Sequence, residues 1–310
     1  MYGDPAESIE DQLPPARKPQ NAPLDPGLYL VATPIGNLED ITLRALRVLK
    51  GVDRIACEDT RLTQKLLNYF AISTPTISCH EHNEQARTME LLGLLQQGGR
   101  VAVVSDAGMP AISDPGLELV RAAVAAGVPV IPVPGPNAAL TALIASGLDT
   151  ERFLYVGFLA AKPGARRAQL EALAARMQPG EEPLTLVVYE APHRILETLA
   201  DVEAVWGESV HVVVGRELTK LHEEFLRGTA REVRAVLETR ERIRGEIVLL
   251  IEAHPLAPQS KAAGSVAQQV AELIETAGLD EKDALKRVAR ERGVSKSDVY
   301  RELQRERSKK

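Results

Sequence analysis

The chain has 310 residues, a net charge of −6, 45% hydrophobic and 26% charged residues, and only two cysteines, Cys57 and Cys79. This is the balance of a globular protein with room for two or three domains, and it excludes a disulfide framework, a cysteine zinc site and an overall positive surface for coating nucleic acid. No apolar run approaches the roughly 18 residues of a membrane span, so no membrane partner is expected, and cysteine usage points to the reducing cytoplasm. The charge is uneven: Lys282 to Lys310 carry 11 Lys and Arg against 5 Asp and Glu. A basic end therefore follows an acidic body.

Residues 1–26 are rich in proline and poor in large apolar side chains, which predicts a disordered leader. From Gly27 the pattern changes. Leu28 to Ala32 reads as a strand, Thr33-Pro34-Ile35-Gly36-Asn37 as a turn, and Leu38, Ile41, Leu43, Leu46, Val48 and Leu49 fall at helical spacing. The alternation continues with strands at Arg54–Cys57, Thr76–Cys79, Val101–Val104 and Val130–Val133, each followed by a polar loop and a helix. Five strand-loop-helix units predict a parallel, doubly wound N-terminal α/β lobe over residues 27–147.

A second α/β lobe is expected over 148–253, with strands near Phe153–Gly157, Leu184–Tyr189, His211–Arg216, Glu223–Arg227 and Glu246–Glu252. The connection between His211–Arg216 and Glu223–Arg227 is too short for a parallel crossover, so this lobe should hold a mixed sheet. Residues 254–265 read as a linker. Three helices follow in 266–310, where Gly293 suits a left-handed cap and Ser295 with Asp298 a capping box. A basic helix-turn-helix-like domain and a helical appendage used for packing or dimerisation both fit this end.

The loops at the strand ends hold the chemistry. The stretch Ser105-Asp106-Ala107-Gly108-Met109-Pro110-Ala111-Ile112-Ser113-Asp114-Pro115-Gly116 follows an apolar strand directly, the place where open α/β sheets bind ligands. Its glycines allow close backbone approach, its prolines stiffen the path, and Asp106 and Asp114 bring acceptors. With Glu58 to Arg61, His80 to Asn83, Pro134 to Asn137, Tyr189 to Arg194 and Arg216 to Lys220, these loops are rich in Gly, Pro, acids and amides. A Gly-Lys-Ser/Thr phosphate loop and a G-x-G-x-x-G turn are both absent, which disfavours phosphate-bearing cofactors. A cationic, phosphate-free cofactor such as S-adenosylmethionine suits the composition better. A metal hydrolase is the rival, through Glu58, Asp59, His80 and His82; on extended chain the two histidines would point to opposite faces, and no metal is expected.

Taken together, Gly27 to Thr42, Cys57-Glu58-Asp59-Thr60-Arg61, Ser105 to Gly116, Pro134-Gly135-Pro136-Asn137-Ala138 and Tyr189-Glu190-Ala191-Pro192-His193-Arg194 resemble the ribosomal RNA methyltransferases of the tetrapyrrole methylase family. The resemblance covers about Gly27 to Glu252, and the basic helices resemble that group's appended helix-turn-helix. It implies a two-lobed tetrapyrrole-methylase-like fold with a small C-terminal helical domain. It also implies methyl transfer from S-adenosylmethionine to the ribose 2′-hydroxyl of a cytidine in the decoding region of 16S rRNA within the small ribosomal subunit, by a homodimer. Cofactor contacts are implied at Pro34, Asp106, Ala107, Gly108, Ala111, Ile112, Pro134, Pro136, Asn137 and Ala138, and from the second lobe at Tyr189, Leu218, Gly245, Glu246 and Ile247. Met109 stands where a small polar residue is expected.

For the transfer itself, Glu58, Asp59 and Glu190 are candidate bases, with His193 a further acid/base candidate. Arg61, Arg194 and Lys220 are candidates for stabilising charge or gripping a phosphate. Each also has an ordinary reading as a cap or ion-pair member. RNA would follow a local basic track of Arg61, Lys65, Arg87, Lys162, Arg166, Arg167, Arg194 and the C-terminal helices. Two alternatives stay open: a precorrin or uroporphyrinogen C-methyltransferase of the same fold, and a non-catalytic ribosome-binding factor.

Overall fold

The computed structural model describes residues 23–80, 82–178, 180–255, 265–292 and 294–307. Most of the expected leader (1–22), most of the expected linker (256–264) and the expected cap at Gly293 lie outside the described residues. The chain divides into two compact units. One runs to Arg167 and resumes over Leu184–Glu252; the other joins Ala168–Pro183 to the residues from Ala253 onward. The expected boundary near 147 thus separates two sheets within a single unit, and Ala168–Pro183 groups with the C-terminal helices.

The first sheet contains β1 (Gly27–Val31), β2 (Arg54–Cys57), β3 (Thr76–Ser78), β4 (Arg100–Val103) and β5 (Val130–Val133) in the order β3-β2-β4-β1-β5. All four neighbouring pairs in this sheet are parallel. Alternate side chains explain the unbroken apolar runs. Tyr29, Val31, Ile55, Cys57 and Ala102 face one core with Ala45, Val48 and Leu49 of α1 (Leu43–Gly51) and Leu67 of α2 (Thr60–Tyr69). Leu28, Ala56, Val101 and Val103 face another with Leu91 and Leu95 of α3 (Glu84–Gln96) and Leu119 and Ala123 of α4 (Leu117–Ala125). Both faces are covered, so polar residues are confined to the strand ends.

The first helix starts later than its apolar spacing suggests. Leu38–Asp40 forms a 3₁₀ turn whose Glu39 N–H donates to the Asn37 side chain, and Thr42 then accepts from the Ala45 N–H to open α1. Two capping side chains in six residues divide what reads as one periodic run.

The second sheet runs β6-β7-β10-β8-β9, from β6 (Phe153–Phe158), β7 (Leu184–Glu190), β8 (His211–Arg216), β9 (Glu224–Thr229) and β10 (Ile247–Ala253). β6 and β7 pair in parallel, while β8 is antiparallel to β10 and β9, which makes the sheet mixed. Ala139, Ala142 and Leu143 of α5 (Ala138–Ser146) belong to the same core as Val187, Val213, Val248 and Leu250 of this sheet. The last helix of the first series therefore packs on the second sheet and brings both sets of strand ends into one unit. Three further helices are α6 (Pro163–Ala174), within which the two units meet along the chain, α7 (Ile195–Trp206) and α8 (Ala230–Glu238).

In the C-terminal unit, α9 (Val266–Ala277), α10 (Glu281–Arg292) and α11 (Lys296–Arg307) enclose a core of Val266, Val270, Leu285, Val288, Val299 and Leu303. The Glu306 carboxylate of α11 accepts the N–H groups of Val266 and Ala267 at the start of α9, where the helix dipole favours negative charge. Ser295 receives the Asp298 N–H at 3.2 Å, but the Asp298 carboxylate is engaged by the Ser295 hydroxyl at 2.7 Å, so the expected capping box is half formed. Complete boxes form at Thr229 with Glu232 and at Ser265 with Gln268.

Glu224 of β9 is clamped by Arg216 at 3.0 Å and Arg240 at 2.6 Å, and hydrogen bonds from Arg240, joined by Arg216, hold its carboxyl at about 2 against burial. A carboxylate with a lowered folded-state pKa stabilises above its unfolded value near 4.5 and loses that contribution as pH falls toward 2. Glu224→Gln is expected to destabilise the protein by roughly 1–3 kcal/mol at pH 7. In denaturant titrations that difference from the native protein should shrink between pH 4.5 and 2.

Candidate functional site

The strand order places β1 and β4 side by side with β2 and β3 on one flank and β5 on the other, so the loops after β1 and β4 leave the sheet at its switch point. Thr33 and Gly108 form an isolated antiparallel bridge there, with N–H to carbonyl bonds of 2.9 and 3.0 Å. The Thr33 hydroxyl donates to the Ser105 carbonyl at 3.1 Å, and the Ser105 hydroxyl to the Gly108 carbonyl at 3.2 Å. Gly108 has φ +81°, and a Cβ there would lie 3.3 Å from Ile35 Cγ2. The two loops are thereby fixed to one another over the ends of the strands.

Beside them opens a cavity of about 400 Å³, within the range of small-molecule sites. Ile35, Met109, Ile112, Ala138, Leu218 and Val248 supply apolar wall, and Asp106, Gly108, Asn137 and Gly245 supply polar groups or bare backbone. The Asn137 side chain caps α5 by accepting the Leu140 N–H at 2.9 Å. Tyr189 closes one side, its ring 5.3 Å from Tyr155 and 5.7 Å from Phe158, and burial raises its hydroxyl pKa above the ordinary value. The lining includes five carboxylates, Glu58, Asp106, Asp114, Glu190 and Glu246, and no Lys, Arg or His among the described residues.

Of the residues expected to hold a cofactor, Asp106, Ala107, Gly108, Ile112, Asn137, Ala138, Tyr189, Leu218, Gly245, Glu246 and Ile247 line this cavity. Pro34, Ala111, Pro134 and Pro136 are outside its lining. Ala111 instead carries a left-handed turn of the loop at φ +64°. Ser113, Asp114, Phe158 and Val248 also line the cavity, beyond the cofactor contacts that the resemblance implies. The Ser-Asp-Pro-Gly run at the end of the long loop marks the first two; the other two face the site only because of how the second sheet packs.

The expected catalytic residues separate into different roles. Asp59 caps α2, accepting the Arg61 N–H at 2.8 Å and pairing with its guanidinium at 2.7 Å, which holds the Asp59 carboxyl near 2 and makes it a poor proton acceptor. It is not part of the lining, and Arg61 extends into solvent. Glu190 is fully buried between Arg194, the Thr198 hydroxyl at 2.6 Å and the Ala191 N–H at 2.7 Å. Arg194 also donates to the Leu159 carbonyl at 3.2 Å, so both groups brace the wall. Lys220 is held by Glu217 at 2.8 Å and Glu246 at 3.1 Å. His193 is exposed outside the lining, while Glu58 lines the rim and is exposed.

Two further expectations change. Arg166 cannot belong to an RNA track: its side chain is 1% exposed and paired with Asp201 at 2.7 Å and Glu197 at 3.2 Å. His80 and His82 do not point apart. The strand ends at Ser78, Asn83 accepts the His80 N–H at 2.8 Å, and the two rings meet edge to face at 5.9 Å. Among the described residues, no group of three or more His, Cys, Asp or Glu converges as a cation site.

The family model described as Tetrapyrrole (Corrin/Porphyrin) Methylases matches residues 27–234. The chain is 50% identical over 278 residues to a Halalkalibacterium halodurans protein named ribosomal RNA small subunit methyltransferase I, covering 88% of this chain and 93% of that one. It is 46% identical over 275 residues to an Escherichia coli O157:H7 protein of the same name, covering 88% and 93%. In fold it is similar to the crystal structure of uroporphyrin-III-C-methyltransferase from Thermus thermophilus, with a TM-score of 0.51, 22% identity and coverage of 72% of this chain and 93% of that one.

Gly245 offers a direct check on how the second-sheet wall is built. It has φ +93°, and an added Cβ would lie 2.4–2.6 Å from the Glu217 side chain, whose Oε1 accepts the Glu246 N–H at 3.0 Å. Gly180 has φ +88°, and a Cβ added there would meet nothing within 4 Å among the described residues. Gly180→Ala should cost about 1–2 kcal/mol from backbone conformation alone. Gly245→Ala should cost roughly 1–3 kcal/mol more in thermal unfolding, from the added overlap.

Proposed function

The chain belongs to the ribosomal RNA small subunit methyltransferase I group of the tetrapyrrole methylase family, and from that membership we propose that it methylates the ribose 2′-hydroxyl of a cytidine in the decoding region of 16S rRNA. The methyl donor is S-adenosylmethionine, the substrate is the small ribosomal subunit, and the enzyme acts as a homodimer in the cytoplasm. The observation that carries this reading is the lining of the cleft: five carboxylates, an apolar floor and no cationic side chain among the described residues. Such a site favours a ligand that is positively charged and free of phosphate, which S-adenosylmethionine is at its sulfonium. Gly108 and Gly245 leave backbone bare where a flat ring or a ribose diol can lie close.

The donor supplies an electrophilic methyl group. The protein's part is positioning and proton removal. Asp106 lies where it can face positive charge, Asn137 and the start of α5 fix one side, and Tyr189 with Phe158 lines the other. Arg194 and Lys220 keep Glu190 and Glu246 paired, so that the walls hold their shape.

RNA contact rests on positive charge elsewhere. Lys65 and Lys162 are exposed, and Lys282 and Arg290 are exposed on α10 in the basic C-terminal unit. The same fold serves tetrapyrrole C-methylation in the Thermus thermophilus neighbour, so the assay must distinguish the two substrates.

With methyl-labelled donor and small subunits lacking the modification, nuclease digestion and mass spectrometry should recover the label on the 2′-oxygen of a single cytidine. Label absent from RNA, or transferred instead to uroporphyrinogen, would refute the assignment. Lys282→Glu with Arg290→Glu should weaken subunit binding about tenfold and flatten its salt dependence, since phosphate contacts release counterions. Donor affinity measured by calorimetry should stay within about twofold; equal loss of both would contradict this division of labour.

A further inference from the structure

The five carboxylates of the cleft are not equivalent. Glu190 and Glu246 are paired with Arg194 and Lys220. Asp106 accepts the Asp59 N–H at 3.3 Å and is exposed. Glu58 is exposed at the rim. Asp114 is half-buried in the lining, and its carboxyl has no hydrogen-bond or ion-pair partner among the described residues.

The loop holds Asp114 there by force. Ala111 and Ser113 have φ of +64° and +60°, a conformation that side chains with a Cβ seldom adopt. The Ser113 hydroxyl is hydrogen-bonded to that of Tyr155 at 2.7 Å, and a Cβ on Gly157 would come within 3.2 Å of it. Past Asp114, the Gly116 N–H donates to Glu84 at 2.8 Å. Residues on both sides of Asp114 are therefore tied to separate elements, β6 and α3. Strain of this kind persists where the surroundings over-determine it and concentrates at functional sites.

We propose that Asp114 is the catalytic base that takes the proton from the ribose 2′-hydroxyl, a role that rests on the methyltransfer reading above. As that proton passes to the Asp114 carboxylate, the 2′-oxygen bonds to the methyl carbon and the carbon–sulfur bond breaks, leaving its electron pair on a neutral thioether. The proton then leaves Asp114 for solvent, which restores the carboxylate.

The titratable groups that face Asp114 are Glu58 from the loop after β2, Asp106 from its own loop and Tyr189 at the end of β7. Burial first, then the charges of Glu58 and Asp106, push the Asp114 carboxyl up to about 6. That value suits a base working near neutrality, since the proton-accepting form predominates at pH 7 and accepts more readily than an ordinary carboxylate.

The test compares the native enzyme with Asp114→Asn, using donor-limited methyl transfer to small subunits between pH 5 and 9. Native kcat/KM, which reports groups of the free enzyme, should rise through about pH 6 and level off. Asp114→Asn should remove that inflection and lower the plateau by about 100-fold or more, with donor affinity by calorimetry changed less than about fivefold. An Asp114→Asn rate within about tenfold of native, a retained inflection, or a loss of donor affinity matching the loss of rate would each overturn the assignment. Should the variant fail to fold, a carboxyl-carbon NMR titration of the native protein decides: a carboxyl titrating near 6 together with the matching kinetic inflection supports the role, and lack of either overturns it. A native enzyme that transfers no methyl to RNA sinks the proposed function itself, an outcome distinct from an active enzyme indifferent to the loss of Asp114.

Discussion

Three carboxylates, Glu58, Asp106 and Asp114, share one cleft wall with no cation of the described protein to balance them. At the short separations inside such a cavity, like charges repel by an amount that partial burial increases, so the free protein carries an electrostatic penalty at neutral pH. A ligand with a positive centre removes that penalty on binding, whereas a phosphate would deepen it. Selectivity for the charge of the ligand is thus a property of the empty walls, set before any specific hydrogen bond forms.

The fold keeps these acids together against their repulsion. Parallel strands covered on both faces deliver their loops to one edge, and the order β3-β2-β4-β1-β5 leaves a crevice between the loops after β1 and β4. The Thr33 to Gly108 bridge closes one side of that crevice, and the left-handed residues Ala111 and Ser113 turn the long loop back toward the second sheet. α5 then links the two sheets through a common apolar core, so the opposite wall, with Tyr189, Leu218 and Gly245, stands in fixed register. Ion pairs stiffen that wall. Glu190 with Arg194 and Glu217 with Lys220 spend their charge on one another and on backbone.

Much of this was legible along the chain. Apolar runs such as Val101 to Val104 mark the strands because both faces are buried, and the Gly- and Pro-rich loops that follow mark the ligand edge because backbone must approach closely there. The connection between His211–Arg216 and the next strand is short enough to require antiparallel pairing, and the second sheet is mixed. Charge roles were less legible. Asp59, Glu190, Arg194 and Lys220 have the right chemistry for catalysis, yet each is consumed by a partner, and partnership depends on side-chain geometry that spacing does not encode. Arg166 reads as a surface cation and lies buried against Asp201 of α7, thirty-five positions away. Asp114 reads as one acceptor among several; its state follows from burial and from Glu58 and Asp106, which converge only when the loops fold. Phe158 and Val248 carry no local signal, since they reach the site through the packing of β6 and β10.

The most direct measurement is competition calorimetry on the full chain. S-adenosylmethionine should bind with one site per chain, and millimolar ATP or NAD should leave its apparent affinity unchanged, because the cleft holds uncompensated acids where a phosphate would have to sit. Displacement of the donor by either phosphate compound, or no heat of donor binding at all, would contradict the account.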